Sequence, residues 1–509
     1  MLARTKGDEV ERFALKYLTR KGLSLIEQNF NSRYGEIDLV MLDKSTLVFV
    51  EVRFRAKSSH GSGAEIVDYR KQQKIIKTAH IFGIKATVQG IDWQAIIARA
   101  VDEVDADARA IEEGNRKADN ITVFKGRGRF TGAKTLEVNG EEISAETVLI
   151  AAGTRPMVPD IPGLEDVPYI TSDEALRLPE QPRRLAILGG GYIAAEMAHF
   201  FGALGTEVTL IHRGRQLLRA EDDDVARRFT EVYQRKINIL LNTRISRAES
   251  RGHEIVLEVS LEGSTGEVIA DGLLVATGRV PNTDLLNVAA TEVEIDERGF
   301  VKTDEFLETN VPGIWALGDI VGKYLLKHSA NLEAAYAGNN IFNPDSKFAV
   351  DYNAMPHAIF ASPQVAGVGL TEREAIEQGI DFAVASYDYL DTAYGSSIED
   401  RDGFVKVLAE RHSGEILGAH IIGTDASILI QEVVNAMRAG LNVRVSPSRS
   451  TFTRLGPKLC SERLANLSCD IRGGSTSSPR TKEGPFAVRP DNVYAITPLR
   501  FTLTIQLPS

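Results

Sequence analysis

Residues 185–196, LAILGGGYIAAE, are the stretch of this chain whose residue types and spacing come closest to a chemical device. An apolar strand ends at Gly189, and Gly189, Gly191 and Ala194 follow in a G-x-G-x-x-A pattern that runs on to Glu196. Glycines at those positions turn the chain tightly and let backbone N–H groups approach a pyrophosphate. The next helix then points its positive N-terminus at the same phosphate. The second strand, residues 207–211, ends at His212-Arg213-Gly214-Arg215. An NAD site offers an acid there to the ribose hydroxyls, whereas an extra phosphate calls for cations. His212 takes the acid's place, with Arg213 and Arg215 beside it, and this favours NADPH. The alternative is that both arginines are solvated loop charges.

Three smaller motifs accompany it. AAGTRP (151–156) and ATGR (276–279) each put a small-residue turn, at Gly153 and Gly278, after an apolar strand. ALGD (316–319) sets Gly318 and Asp319 just past a strand, where a carboxylate can accept hydrogen bonds from sugar hydroxyls. A separate polar set lies near the start: Glu11, Asp38 in GEID, Glu51 and Arg53 in FVEVR, and Lys71. Strand alternation puts Glu51 and Arg53 on one face and turns Val50 and Val52 to the core. Asp38, ending the neighbouring strand, can meet Glu51 to hold Mg²⁺, which polarises a phosphodiester and lowers the pKa of an attacking water. Arg53 can neutralise phosphate charge but cannot act as a base. The alternative here is a surface cross-strand pair.

The elements that must position these groups can be read from periodicity. Residues 8–18 read as a short amphipathic helix closed by Lys21-Gly22, 36–42 and 47–55 as two strands, and 69–82 as a helix. Residues 90–118 read as one charged helix, and 120–150 as a β-meander. Residues 183–281 form a βαβ unit followed by more strands, 296–320 a strand pair, 325–341 a helix and 355–443 an α+β domain. The acidic run 221–224 is expected to cap and solvate the next helix, and beyond Val443 no periodicity is sustained.

Composition sets the limits. The chain has 509 residues, 43% hydrophobic and 25% charged, enough for several domains. No apolar stretch approaches the roughly 20 residues that cross a bilayer, and the start lacks the apolar core of a secretory signal. Cys460 and Cys469 cannot form a disulfide scaffold, so a cytoplasmic setting is expected. Residues 1–82 carry 15 Lys/Arg against 10 Asp/Glu, which leaves 44 against 60 for the remainder of the 59 and 70 in the chain. A basic head on an acidic body points to two unlike modules.

On these motifs, residues 83–443 resemble the pyridine nucleotide-disulfide oxidoreductases of the dihydrolipoamide dehydrogenase and mycothione reductase type. Residues 7–82 resemble the YraN-like family of the restriction-endonuclease-like superfamily. The resemblance implies an α/β chain with a nuclease-fold head (1–82) and the remnant of an FAD domain (83–155 and 277–345). That remnant encloses a Rossmann-like NAD(P) domain (156–276) and is followed by a dimerisation domain (346–443) and an irregular tail (444–509). It implies NADPH at Gly189, Gly191, Ala194, Glu196, His212, Arg213, Arg215 and Gly278. FAD falls to Gly153, Gly318 and Asp319, the last as the ribitol-binding aspartate, and a homodimer is expected through 346–443. For the head it implies catalytic Glu11, Asp38, Glu51, Arg53 and Lys71, Mg²⁺ on Asp38 and Glu51, and branched or single-stranded DNA as substrate.

The departures are as clear as the matches. The family's flavin-pyrophosphate G-x-G-x-x-G, its C-x-x-x-x-C redox pair and its closing His-Pro occur nowhere in the sequence. Read one frame over with permissible codons, residues 450–454 give x-His-Ile-His-Pro, so the tail is expected to be frameshifted. The chain thus reads as a chimera: a YraN-like head joined to a truncated, impaired NADPH-type flavoprotein. An Mg²⁺-dependent endonuclease and an inactive, misassembled product are the alternatives.

Overall fold

The computed structural model describes residues 15–32, 35–43, 46–50, 90–261 and 264–443. Glu11, Glu51, Arg53, Lys71, the 69–82 helix, both cysteines and the tail lie outside the described residues.

Residues 15–20 are helical and stop at Lys21-Gly22, where Gly22 takes φ 97° and its N–H bonds Thr19 O at 3.0 Å. Glycine adopts this left-handed helix end without the clash that a Cβ would bring. Three antiparallel strands follow, β1 (Ser24–Ser32), β2 (Gly35–Asp43) and β3 (Thr46–Val50), in the order β1-β2-β3. β2 matches the sequence expectation, except that Asp38 lies inside it and does not end it, and β3 matches as far as Val50, residues 51–55 lying outside the described ones. β1 does not follow from the sequence, because SLIEQNFNS is polar and only half alternating. Leu39 and Met41, two apart on β2, are fully buried and pack with Leu15, Leu18 and Leu23.

The charged helix is α1 (Trp93–Lys117). The meander is β4 (Gly128–Gly132), β5 (Thr135–Val138) and β6 (Glu141–Ser144), with β5 and β6 joined through Asn139-Gly140. Both turn residues have positive φ, 55° and 83°, as a two-residue hairpin turn requires. Next come β7 (Val148–Ile150), β8 (Thr154–Pro156) and β9 (Tyr169–Ile170).

The nucleotide region then assembles from β10 (Arg184–Leu188), α2 (Tyr192–Ala203), β11 (Glu207–Ile211), α3 (Asp223–Gln234) and β12 (Asn238–Leu240). The antiparallel trio β13 (Thr243–Arg251), β14 (Glu254–Leu261) and β15 (Ser264–Ala270) follows, and β16 (Gly272–Val275) returns to the sheet. The parallel order is β12-β11-β10-β16-β9. β10 is central, and its Leu185, Ala186 and Ile187 are at most 1% exposed, which is why this strand reads as continuously apolar.

β17 (Arg279–Pro281) pairs antiparallel with β8, and β18 (Ile314–Ala316) pairs parallel with β7. The strand pair expected over 296–320 is corrected. That segment makes only isolated bridges within itself, and its one strand, β18, sets Ile314 against Val148 of β7, far back in the chain. α4 (Lys327–Phe342) matches the expected helix. The last region is an antiparallel sheet of β19 (Pro356–Ile359), β20 (Gln364–Gly369), β21 (Phe382–Asp388), β22 (Phe404–Glu410) and β23 (Ile416–Gly423), ordered β19-β20-β23-β22-β21. α5 (Glu372–Glu377) follows β20, and α6 (Ala426–Arg438) covers the sheet through Leu429, Ile430 and Val433. No helix among the described residues is long and apolar enough to cross a membrane.

Candidate functional site: a glycine cradle and an arginine groove

Gly189 follows β10 at φ 146°, and its N–H bonds Ile211 O at 3.0 Å. A Cβ there would sit 2.2 Å from Ala276 O, so only glycine fits. Ala194, fully buried one turn into α2, lies 3.4 Å from that same point, and its small side chain is what lets helix and strand close. Gly191 is the N-cap of α2 with no side-chain cap, and the space where its Cβ would stand is open. The first N–H groups of a 12-residue helix therefore face the open side of the cradle, which suits an anion. The residues present fit a dinucleotide pyrophosphate.

The end of β11 frames the cradle's rim. The His212 ring lies over Gly190, whose Cβ would meet it at 2.5 Å, and its other edge abuts Gly214. The sequence places His212 in the positive end of the site, and its ring does stand at that rim, next to the arginines. Burial first, then Arg213 and Arg219, hold its imidazole below the usual value, which disfavours its charged form. Its Nε2 has no hydrogen-bond partner among the described residues.

The cations are arginines. Arg213 and Arg215 line a groove of about 650 Å³ together with Arg219 and Arg373, and Asp223 supplies its one carboxylate. Sequence reasoning misses Arg219 and Arg373. Arg219 stands four residues past Arg215, and Arg373 arrives from 150 residues beyond Asp223 with no local signal.

The loop that carries the first three arginines is tied down at both ends. Leu218 N–H bonds Gly190 O at 2.7 Å. At the far end the acidic run caps the next helix as expected and its Asp223 and Asp224 are solvated, but Glu221 and Asp222 are buried, 6% and 1% exposed. Asp222 does cap α3, accepting from Asp224 N, but its carboxylate also meets Lys406 Nζ at 2.8 Å, and Lys406 reaches Asp224 and Glu372 as well. Burial alone would lower the Lys406 ammonium, and the three carboxylates more than reverse this and raise it. Glu221 pairs with His357 at 2.8 Å.

Near Tyr192, the first residue of α2, Thr154 Oγ1 donates to Asp319 at 3.2 Å and accepts from Arg279 Nε at 2.7 Å. Gly318 N–H donates to buried Glu333 at 2.6 Å, and Tyr352 donates to the same carboxylate. Burial raises both Tyr192 and Glu196. The Tyr192 phenol also feels Arg279, Asp319 and Glu196, while Phe360 N–H, 2.8 Å from Glu196, partly offsets that carboxyl's shift. Gly153 has φ 62° with open space beyond it. Gly278, at φ 147°, sits against Met157. These groups fit the sugar end of a flavin. The pyrophosphate end does not fit, because the sequence holds no second G-x-G-x-x-G run and the described residues no second glycine cradle.

The family description "Pyridine nucleotide-disulphide oxidoreductase" matches residues 64–337, and that family's dimerisation domain matches 355–452. The chain belongs to this family. The "Uncharacterised protein family UPF0102", the YraN-like family, matches 10–104, so the two matches overlap over 64–104 and the chain is a fusion of two families. Mycothione reductase of Mycobacterium tuberculosis (strain ATCC 25618 / H37Rv) is 41% identical over 378 residues, covering 72% of this chain and 82% of that protein. Glutathione reductase of Burkholderia cepacia is 33% identical over 361 residues, covering 70% and 78%. The solved HOCl-induced flavoprotein disulfide reductase RclA from Escherichia coli is 27% identical at a TM-score of 0.66, covering 74% of this chain and 87% of that one. The family uses flavin and nicotinamide cofactors, and the dimerisation domain suggests a homodimer.

Proposed function

We propose that the reductase body binds NADPH in the Gly189–Gly191 cradle, with the ribose phosphate directed to Arg213 and Arg215, and that its disulfide turnover is impaired. When bound, NADPH would supply a hydride at its nicotinamide. The chain's own part is to hold the pyrophosphate on the N-terminus of α2, exclude water with His212 over Gly190, and present neutralising guanidinium groups to the phosphate. The arginine groove beside the cradle carries this reading. The missing C-x-x-x-x-C pair and His-Pro support the impairment, since no relay or acid/base pair would pass electrons to a disulfide. Binding titrations test it: NADPH should bind at least roughly tenfold tighter than NADH, the scale of one or two charge-assisted hydrogen bonds. Arg213→Ala/Arg215→Ala should erase the difference, and equal affinities in the native chain would rule NADPH out.

For the head, the second reading is Mg²⁺-dependent cleavage of branched or single-stranded DNA through Asp38 and Glu51. The three-stranded β1-β2-β3 sheet, with Asp38 on its middle strand, favours it. Cleavage by the full chain should need Mg²⁺ and vanish in Asp38→Ala; cleavage that persists in the variant removes the assignment.

A further inference from the structure

The groove has a wall that does not belong to the nucleotide region. Arg373 lies on α5, just after β20 of the C-terminal sheet, and lines the same 650 Å³ groove as Arg213, Arg215 and Arg219. The position of α5 is fixed rather than incidental. Thr371 and Glu374 form a reciprocal capping box, Glu372 N–H donates to Asp222 Oδ2 at 3.2 Å, and the Glu372 carboxylate meets buried Lys406 at 2.5 Å. The helix that carries Arg373 is thereby bound to the residue that ends the phosphate loop. Arg373 Nη1 meets Asp223 Oδ1 at 2.7 Å, and Nη2 makes only a long 3.4 Å contact to Arg219 O. Both partners of that ion pair are substantially exposed, 40% and 55%, so the pair is weak, and Nε of the five-donor fork has no partner in it.

The geometry points to Arg373 as a specificity-determining residue, which reaches from the dimerisation domain to bind the ribose 2′-phosphate of NADPH. Four guanidinium groups and one carboxylate surround the groove. A phosphomonoester carries close to two negative charges at neutral pH, and a planar fork can meet it with two parallel hydrogen bonds. NADH has no group that reaches this wall. The assignment rests on the NADPH reading and extends it: the selective pocket is built by two domains, and the C-terminal domain takes part in choosing the cofactor.

The test uses the full chain, with NADPH and NADH each titrated at low and at moderate salt. Arg373→Ala should weaken NADPH by roughly tenfold and leave NADH unchanged. Asp223→Asn, which removes the competing carboxylate, should tighten NADPH a few-fold and leave NADH unchanged. Arg373→Lys should keep charge but lose the bidentate fit, and so fall between. If the native chain prefers NADPH and Arg373→Ala leaves the NADPH/NADH ratio as it was, this assignment is overturned while the NADPH reading stands. Equal weakening of both cofactors assigns Arg373 to packing and overturns it too. Equal affinities in the native chain overturn both readings together.

Discussion

The nucleotide region and the flavin-side region are written in the same sequence vocabulary, an apolar strand, a glycine turn and a polar group behind it, yet they reach different ends. In the first, β10 is paired on both sides, its side chains are buried on both faces, and Gly189, Gly191 and Ala194 form the cradle. In the second, β7 and β18 pair only with each other among the described residues, and Leu149, in the middle of β7, is 43% exposed. Gly153 and Asp319 lie in defined geometry, Asp319 within a tight Thr154–Arg279 network, but no second glycine cradle stands beside them among the described residues. A motif places atoms; the neighbouring strands decide whether those atoms make a site.

Alanine at the two turn glycines is the severest way to break that comparison. At Gly189 it would adopt φ 146° and place its Cβ 2.2 Å from a backbone carbonyl. The backbone strain and the forced separation of β10 from Ala276 should together cost on the order of 3 kcal/mol or more. At Gly153, φ 62° with nothing within 4 Å, the same change should cost only about 1 kcal/mol. Urea unfolding of the two variants measures both. Equal losses would mean that the flavin-side turn is as tightly enclosed as the cradle.

How much can be read from sequence divides along the same line. Local devices are legible: β11 runs over the residues that its alternation marks, α4 falls where expected, and the cradle's three small residues do what their spacing says. Contacts made across long separations are not. Glu221 and Asp222 read as solvated acids because nothing nearby in sequence announces His357 or Lys406, more than 130 residues on. His212 reads as a cation because its burial over Gly190 depends on how two loops meet. Arg373 gives no signal at all, whereas Arg279 and Thr154 stand inside motifs whose glycines draw the eye first.

The smallest expected effect tests the ion pair that ties the nucleotide region to the C-terminal sheet, where the flavin side has the His328–Pro356 O contact at 2.7 Å. His357 is paired with Glu221, and Glu374 and buried His420 also face it. Burial would lower the His357 imidazole, but Glu221 and then Glu374 raise it above the ordinary 6.5. A raised folded-state value favours the protonated, folded form. The contribution is therefore complete below about pH 6.5 and disappears as pH climbs through the folded value. His420 acts in the opposite sense: burial lowers it, so its contribution is present above 6.5 and fades as pH falls. Comparing Tm at about pH 6 and about pH 8.5 in the native chain and in His357→Gln separates the two. The native chain should lose up to about 1 kcal/mol more than the variant over that interval, a modest value because the pair is partly exposed. Parallel profiles would mean that His357 holds no charge against Glu221, and that the charged ties of this loop to the C-terminal domain are those of Lys406 and Arg373.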